Sequence, residues 1–88
     1  MPIISQFFGV VIRMYFDDDE QHHTPHFHAK YAEFEAAFDL DGNLIAGRFP
    51  KKQEKYIVAW ADIHKDELTA LWDIMQKDDQ YFKIKGLE

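Results

Sequence analysis

The sequence predicts a single α+β domain, an antiparallel meander of about four strands packed against one long or broken C-terminal helix. Three observations carry that expectation. Residues 7–49 hold short β-branched and aromatic runs separated by polar breaks; Asp41-Gly42-Asn43 is the strongest turn signal in the chain; and residues 51–77 carry apolar side chains at helical spacing. Eighty-eight residues make one domain spanning 1–88, small enough that a two-layer core is the ceiling.

The first strand is expected over Phe7 to Phe16, where Phe8, Val10, Val11, Ile12, Tyr15 and Phe16 favour extended backbone over helix. The polar run Asp17 to Thr24, closed by Pro25, then reads as a long loop. From His26 to Leu40 no Gly or Pro intervenes, and register decides between one strand and a hairpin. A two-residue turn at Ala32-Glu33 pairs Tyr31 with Phe34, Ala29 with Ala36 and Phe27 with Phe38 on one face. The other face then receives His26 opposite Asp39, His28 opposite Ala37 and Lys30 opposite Glu35. A slip of one residue would mix the two sets, so the hairpin is predicted in this register.

After the Asp41-Gly42-Asn43 turn, a fourth strand is expected over Leu44 to Phe49, with Ile45 continuing the apolar face. Pro50 stops it. The helical stretch from Lys51 to about Lys77 places Ile57, Trp60, Ala61, Leu68, Leu71, Trp72 and Met75 on one stripe, interrupted by His64. An unbroken helix of that length would run roughly 40 Å, more than short strands can cover, so a break is expected near His64 to Asp66, with Asp66 capping a second helix. Tyr81 to Ile84 reads as a last short strand or an extended tail.

The composition, 47% hydrophobic and 16% aromatic, is that of a folding chain. A net charge of -6 tells against general nucleic-acid or anionic-membrane binding. There is no cysteine, which excludes disulfides and thiol chemistry, and no signal peptide or membrane-length apolar run, so a cytoplasmic location is expected.

Four of the five histidines, His22, His23, His26 and His28, fall within seven residues, just after an acidic run. In a strand His26 and His28 point the same way. With His22 or His23 from the loop and Asp39 across the ladder, they offer the nitrogen and oxygen ligands that zinc, nickel or iron accept, and the metal set to test is His22, His26, His28 and Asp39. The plainer explanation is a solvated sheet face that tolerates histidine. The same imidazoles could transfer protons, one as base and one as acid, with Arg13 and Lys30 holding a phosphate; the catalytic set is then His26, His28 and Arg13. The basic group Arg48, Lys51, Lys52 and Lys55 reads as the solvated start of a helix, and Trp60 and Trp72 read as core. No nucleophile elbow or Gly-rich phosphate loop is present.

Pro2-Ile3-Ile4-Ser5 with Phe8-Gly9, the strand Val11 to Tyr15, the motif Pro25-His26-Phe27-His28-Ala29 followed by Tyr31, and the later Trp60, His64, Glu67-Leu68 and Trp72 resemble the small bacterial domain of unknown function DUF4160. The likeness covers nearly the whole chain, and Pro-His-Phe-His is its most specific part. In that family a further histidine commonly stands four before the first motif histidine, here His22, and Gly usually follows the motif tyrosine, where this chain has Ala32. The resemblance implies no established activity. It does imply a two-gene arrangement of the toxin and antitoxin kind, hence a component acting through contact with the protein from an adjacent small gene, with self-association also open to it. The alternatives are a histidine-dependent hydrolase or ribonuclease and a transition-metal-binding domain.

Overall fold

The computed structural model describes residues 2–15, 24–78 and 80–87. The described chain is an α+β fold with a five-stranded antiparallel sheet in the order β1-β2-β3-β4-β5, followed by two helices. The strands are β1 (Ile3–Phe7), β2 (Val10–Arg13), β3 (His26–Tyr31), β4 (Phe34–Asp39) and β5 (Leu44–Gly47); the helices are α1 (Lys51–Ile63) and α2 (Lys65–Asp78).

The fifth strand corrects the expected single strand over Phe7 to Phe16. That segment holds a tight turn: Phe7 pairs with Val10, and Phe8 and Gly9 between them take φ of 49° and 80°. Positive φ at both central residues matches the twist that a two-residue hairpin needs, and Gly9 adopts it without steric cost. Phe8 does so as a bulky residue, held by its ring against Tyr56 at a centroid distance of 5.0 Å. Phe16 and the loop to His23 lie outside the described residues.

The β3–β4 hairpin has the predicted register at every pair, from His26 opposite Asp39 to Tyr31 opposite Phe34. Ala32 in its turn has φ 52°. The β4–β5 connection is the expected turn. Gly42, at φ 89°, lies so close to α1 that a Cβ there would meet the Val58 Cα at 2.9 Å. Beyond it the ladder is irregular between Ala37 and Phe38, and β5 ends at Gly47 instead of Phe49. This irregularity overturns the expectation for Ile45, which is 44% exposed and does not continue the apolar face.

Both helices cover one face of the sheet. Ile4, Ile12, Phe27, Ala29, Ala36 and Phe38 meet Ile57, Trp60, Ala61, Leu68, Leu71 and Met75 in one core. Trp60 is fully buried, with its ring 5.4 Å from Phe7 and 5.5 Å from Phe27, while Trp72 is half-buried at the margin. Burial of a side chain of this class contributes about 1.5–3 kcal/mol, so a few aromatics dominate so small a core.

The helical stretch breaks at His64, whose N–H still reaches the Trp60 carbonyl at 3.0 Å and whose carbonyl accepts from Leu68 at 2.9 Å. The junction is thus one residue wide. Asp66 does not cap it but lies in the first turn of α2, where its charge is favourable to the helix dipole. Residues 80–87 form an extended tail without strand pairing of its own; Ile84 is buried and its N–H donates to the Ile4 carbonyl at 2.7 Å, and the Trp60 indole donates to the Lys85 carbonyl at 2.9 Å.

Candidate functional site

The helices pack on one face of the sheet, and on the other, which α2 reaches at its margin through Trp72, the ladder decides what stands there. Arg13 of β2 lies opposite His28 of β3, Val11 lies opposite Lys30, and Lys30 lies opposite Glu35 of β4. Arg13, Tyr15, His28, Lys30 and Glu35 line a hollow of about 110 Å³ on this face. Arg13 and His28, two of the expected catalytic residues, are therefore neighbours, as the parity of Arg13 with Val11 and Tyr15 allowed. The ring of Tyr15 stacks on His28 with centroids 4.4 Å apart and planes 9° from parallel. Tyr15 was not among the expected site residues, although its place two after Arg13 puts it in the same alternating series.

His26 and His28 stand edge to face, with centroids 5.2 Å apart. The expected solvated face does not extend to His26, which is only 3% exposed, because Trp72 of α2 lies against its ring at 5.4 Å. The His26 Nδ1 lies 2.8 Å from the Thr24 carbonyl oxygen. A carbonyl only accepts, so Nδ1 carries a proton and Nε2 is the nitrogen through which a neutral His26 can accept one. In His28, which lines the hollow, the Nε2 atom is enclosed.

Asp39 stands opposite His26 in the ladder, but its carboxylate serves the β4–β5 turn. Oδ1 accepts from the backbone N–H of Asp41 and of Asn43, each at 2.9 Å, and Oδ2 accepts from the Asn43 side-chain amide at 3.1 Å. Partial burial alone would raise this carboxyl. The hydrogen bonds from Asn43 and Asp41, with the charge of Lys65, outweigh it and hold the group below the ordinary 3.8. Lys65 in turn pairs with Asp41, which raises its own pKa above 10.5. Of the expected metal ligands, His26 and His28 are thus adjacent, Asp39 is occupied elsewhere, and His22 lies outside the described residues. Among the described residues no three His, Cys, Asp or Glu side chains are grouped to hold a metal ion.

Arg48, Lys51, Lys52 and Lys55 are all exposed around the start of α1. Among the described residues no helix is long and apolar enough to cross a membrane.

Residues 9–73 match the family described as Domain of unknown function (DUF4160), and the chain belongs to that family. No curated protein and no solved structure matches it.

Proposed function

We propose that this member of the DUF4160 family acts on a phosphate ester through histidine acid–base chemistry at the open sheet face. The observation that supports it most is the ladder pairing of Arg13 with His28 beside a second imidazole. Arg13 offers a fork of N–H donors suited to phosphate oxygens. His28 lines the hollow and meets the substrate, while His26 stands behind it as the second proton carrier. One imidazole removes the proton of the attacking hydroxyl or water as the new P–O bond forms. That imidazole, His28 at the hollow, then returns a proton to the oxygen that leaves, and the ester bond breaks without net redox change. The charge of -6 favours a short ester or short strand over a long polyanion.

The test is turnover of short single-stranded RNA and of an aryl phosphodiester by the purified protein. His28→Ala and Arg13→Ala should each lose at least about 100-fold, the lower range for acid–base groups, with unchanged circular dichroism. Equal turnover in parent and variants would sink the reading, as would none in the parent. The transition-metal alternative, with His22, His26 and His28 as ligands, predicts that stoichiometric zinc raises the parent's unfolding midpoint but not that of a His26→Ala, His28→Ala double variant.

A second reading, a component of a two-gene module that works through protein contact, draws on β5. All four of its residues are exposed, including Leu44 and Ile45, and in the described structure it pairs only with β4 at the end of the sheet. Such an edge can accept a further strand. Co-purification with the product of an adjacent small gene, abolished by Ile45→Lys, is the expected result; indifference to that substitution would remove β5 as the contact.

A further inference from the structure

The hollow beside His28 contains an anion of its own. Glu35 lines it, and its Oε2 lies 3.5 Å from the Lys30 Nζ. Arg13, the other cation there, makes no ion pair with any of the described residues. Among the described residues the hollow therefore holds one cation that is ion-paired and one that is not, with the Glu35 carboxylate beside Lys30.

We propose that Glu35 determines specificity at this site by competing with the bound group: it holds Lys30 until a phosphoryl anion takes Lys30 and Arg13 together. The inference rests on the phosphate-ester reading above. Three observations carry it. The volume of about 110 Å³ is well below the roughly 300 Å³ at which pockets begin to enclose a whole small molecule, so the hollow suits one tetrahedral group with the rest of the ligand outside. Lys30 sits two residues beyond the ladder partner of Arg13, a diagonal of about 7–8 Å from which two long side chains can converge on one anion. The Glu35 side chain is 73% exposed and that of Lys30 is 47% exposed, so the carboxylate can turn out into water when displaced. An exposed pair of this kind is weak, which makes it exchangeable.

The magnitude follows from that weakness. Glu35→Gln removes the competitor and should tighten phosphate binding about two- to fivefold, which is about 0.4 to 1 kcal/mol at 1.4 kcal/mol per tenfold. Titration of the parent with inorganic phosphate, and separately with dimethyl phosphate as a diester, at constant ionic strength and followed by calorimetry, gives the baseline. Arg13→Ala should abolish binding of whichever probe is held. In a Lys30→Gln background the Glu35→Gln gain should largely disappear, because the competition runs through Lys30.

A gain of the same size with and without Lys30 would overturn the proposal in favour of a diffuse field effect. Unchanged or weaker binding in Glu35→Gln, with Arg13-dependent binding intact, would overturn it while leaving the phosphate-ester reading standing. No Arg13-dependent binding of either probe in parent and Glu35→Gln would take down that reading and the proposal with it. Binding of inorganic phosphate alone supports a terminal phosphoryl group as the ligand, and binding of both probes supports chain phosphates.

Discussion

At the scale of single residues, two side chains show how local geometry sets stability. Ala32 occupies the left-handed region at φ 52°, which costs an L-residue about 1–2 kcal/mol. Glycine escapes that penalty but loses more freedom on folding, about 0.5–1 kcal/mol relative to alanine. Ala32→Gly should therefore stabilise the chain by about 0.5–1 kcal/mol and raise the thermal midpoint by about 2–8 °C, read by calorimetry. Asp39 makes a different prediction. Its carboxyl is held below the ordinary 3.8, so its contribution is fully present above that value and lost as pH falls through the lower, folded value. Asp39→Ala should lower the midpoint at neutral pH, because the Asp41 and Asn43 N–H groups lose their acceptor, and should flatten the acid side of the stability profile. A profile as steep as the parent's would show that the turn does not depend on this carboxylate.

At the scale of elements, legibility followed the strength of the constraint. The β3–β4 register was readable because six pairs had to sort at once into two chemically distinct faces, and only one register did so. The helix break was readable because a stripe interrupted by His64 exceeded the length the sheet could cover. The Phe8-Gly9 turn was hidden, since a bulky aromatic at positive φ is against propensity and the flanking residues read as one continuous strand. Ile45 was misplaced for a related reason: an irregularity in the ladder changes the parity of everything beyond it, and no residue type announces one. Of the candidate site, the shared face of His26 and His28 was legible from strand alternation, while the placement of Arg13 beside His28, the Tyr15 stack and the Trp72 cover depend on pairings and packing across elements. The C-terminal tail belongs to the same scale. It joins β1 through the Ile84 N–H and the core through the buried Ile84 side chain, the Lys85 carbonyl on the Trp60 indole and Leu87, with Ile84 the most buried of these anchors. Ile84→Ala should cost about 2–4 kcal/mol and raise amide exchange in residues 3–7 ahead of the rest of the sheet. Uniform exchange across all strands would mean that the tail and the sheet open only together.

At the scale of the whole molecule, the sheet separates a packed face from an open one, and neighbouring residues fall on opposite sides of that division. Phe27 is fully buried between Phe38 and Trp60, with centroids at 5.8 and 5.5 Å, whereas Arg13 and His28 stand on the face the helices leave uncovered. A domain of 88 residues has roughly 4–13 kcal/mol of stability in all. Truncating a buried Phe to Ala costs about 3–5 kcal/mol, which takes a large share of that total. Arg13→Ala removes a half-exposed side chain with no ion pair among the described residues, so its effect should stay within about 0.5 kcal/mol. Urea unfolding of the two variants should thus separate them. Phe27→Ala is expected to lose most of its midpoint or fail to fold, while Arg13→Ala keeps the parent's midpoint and slope and loses only phosphate binding. If Arg13→Ala instead unfolded with Phe27→Ala, the open face would be part of the structural core, and loss of binding in that variant would carry no information about chemistry.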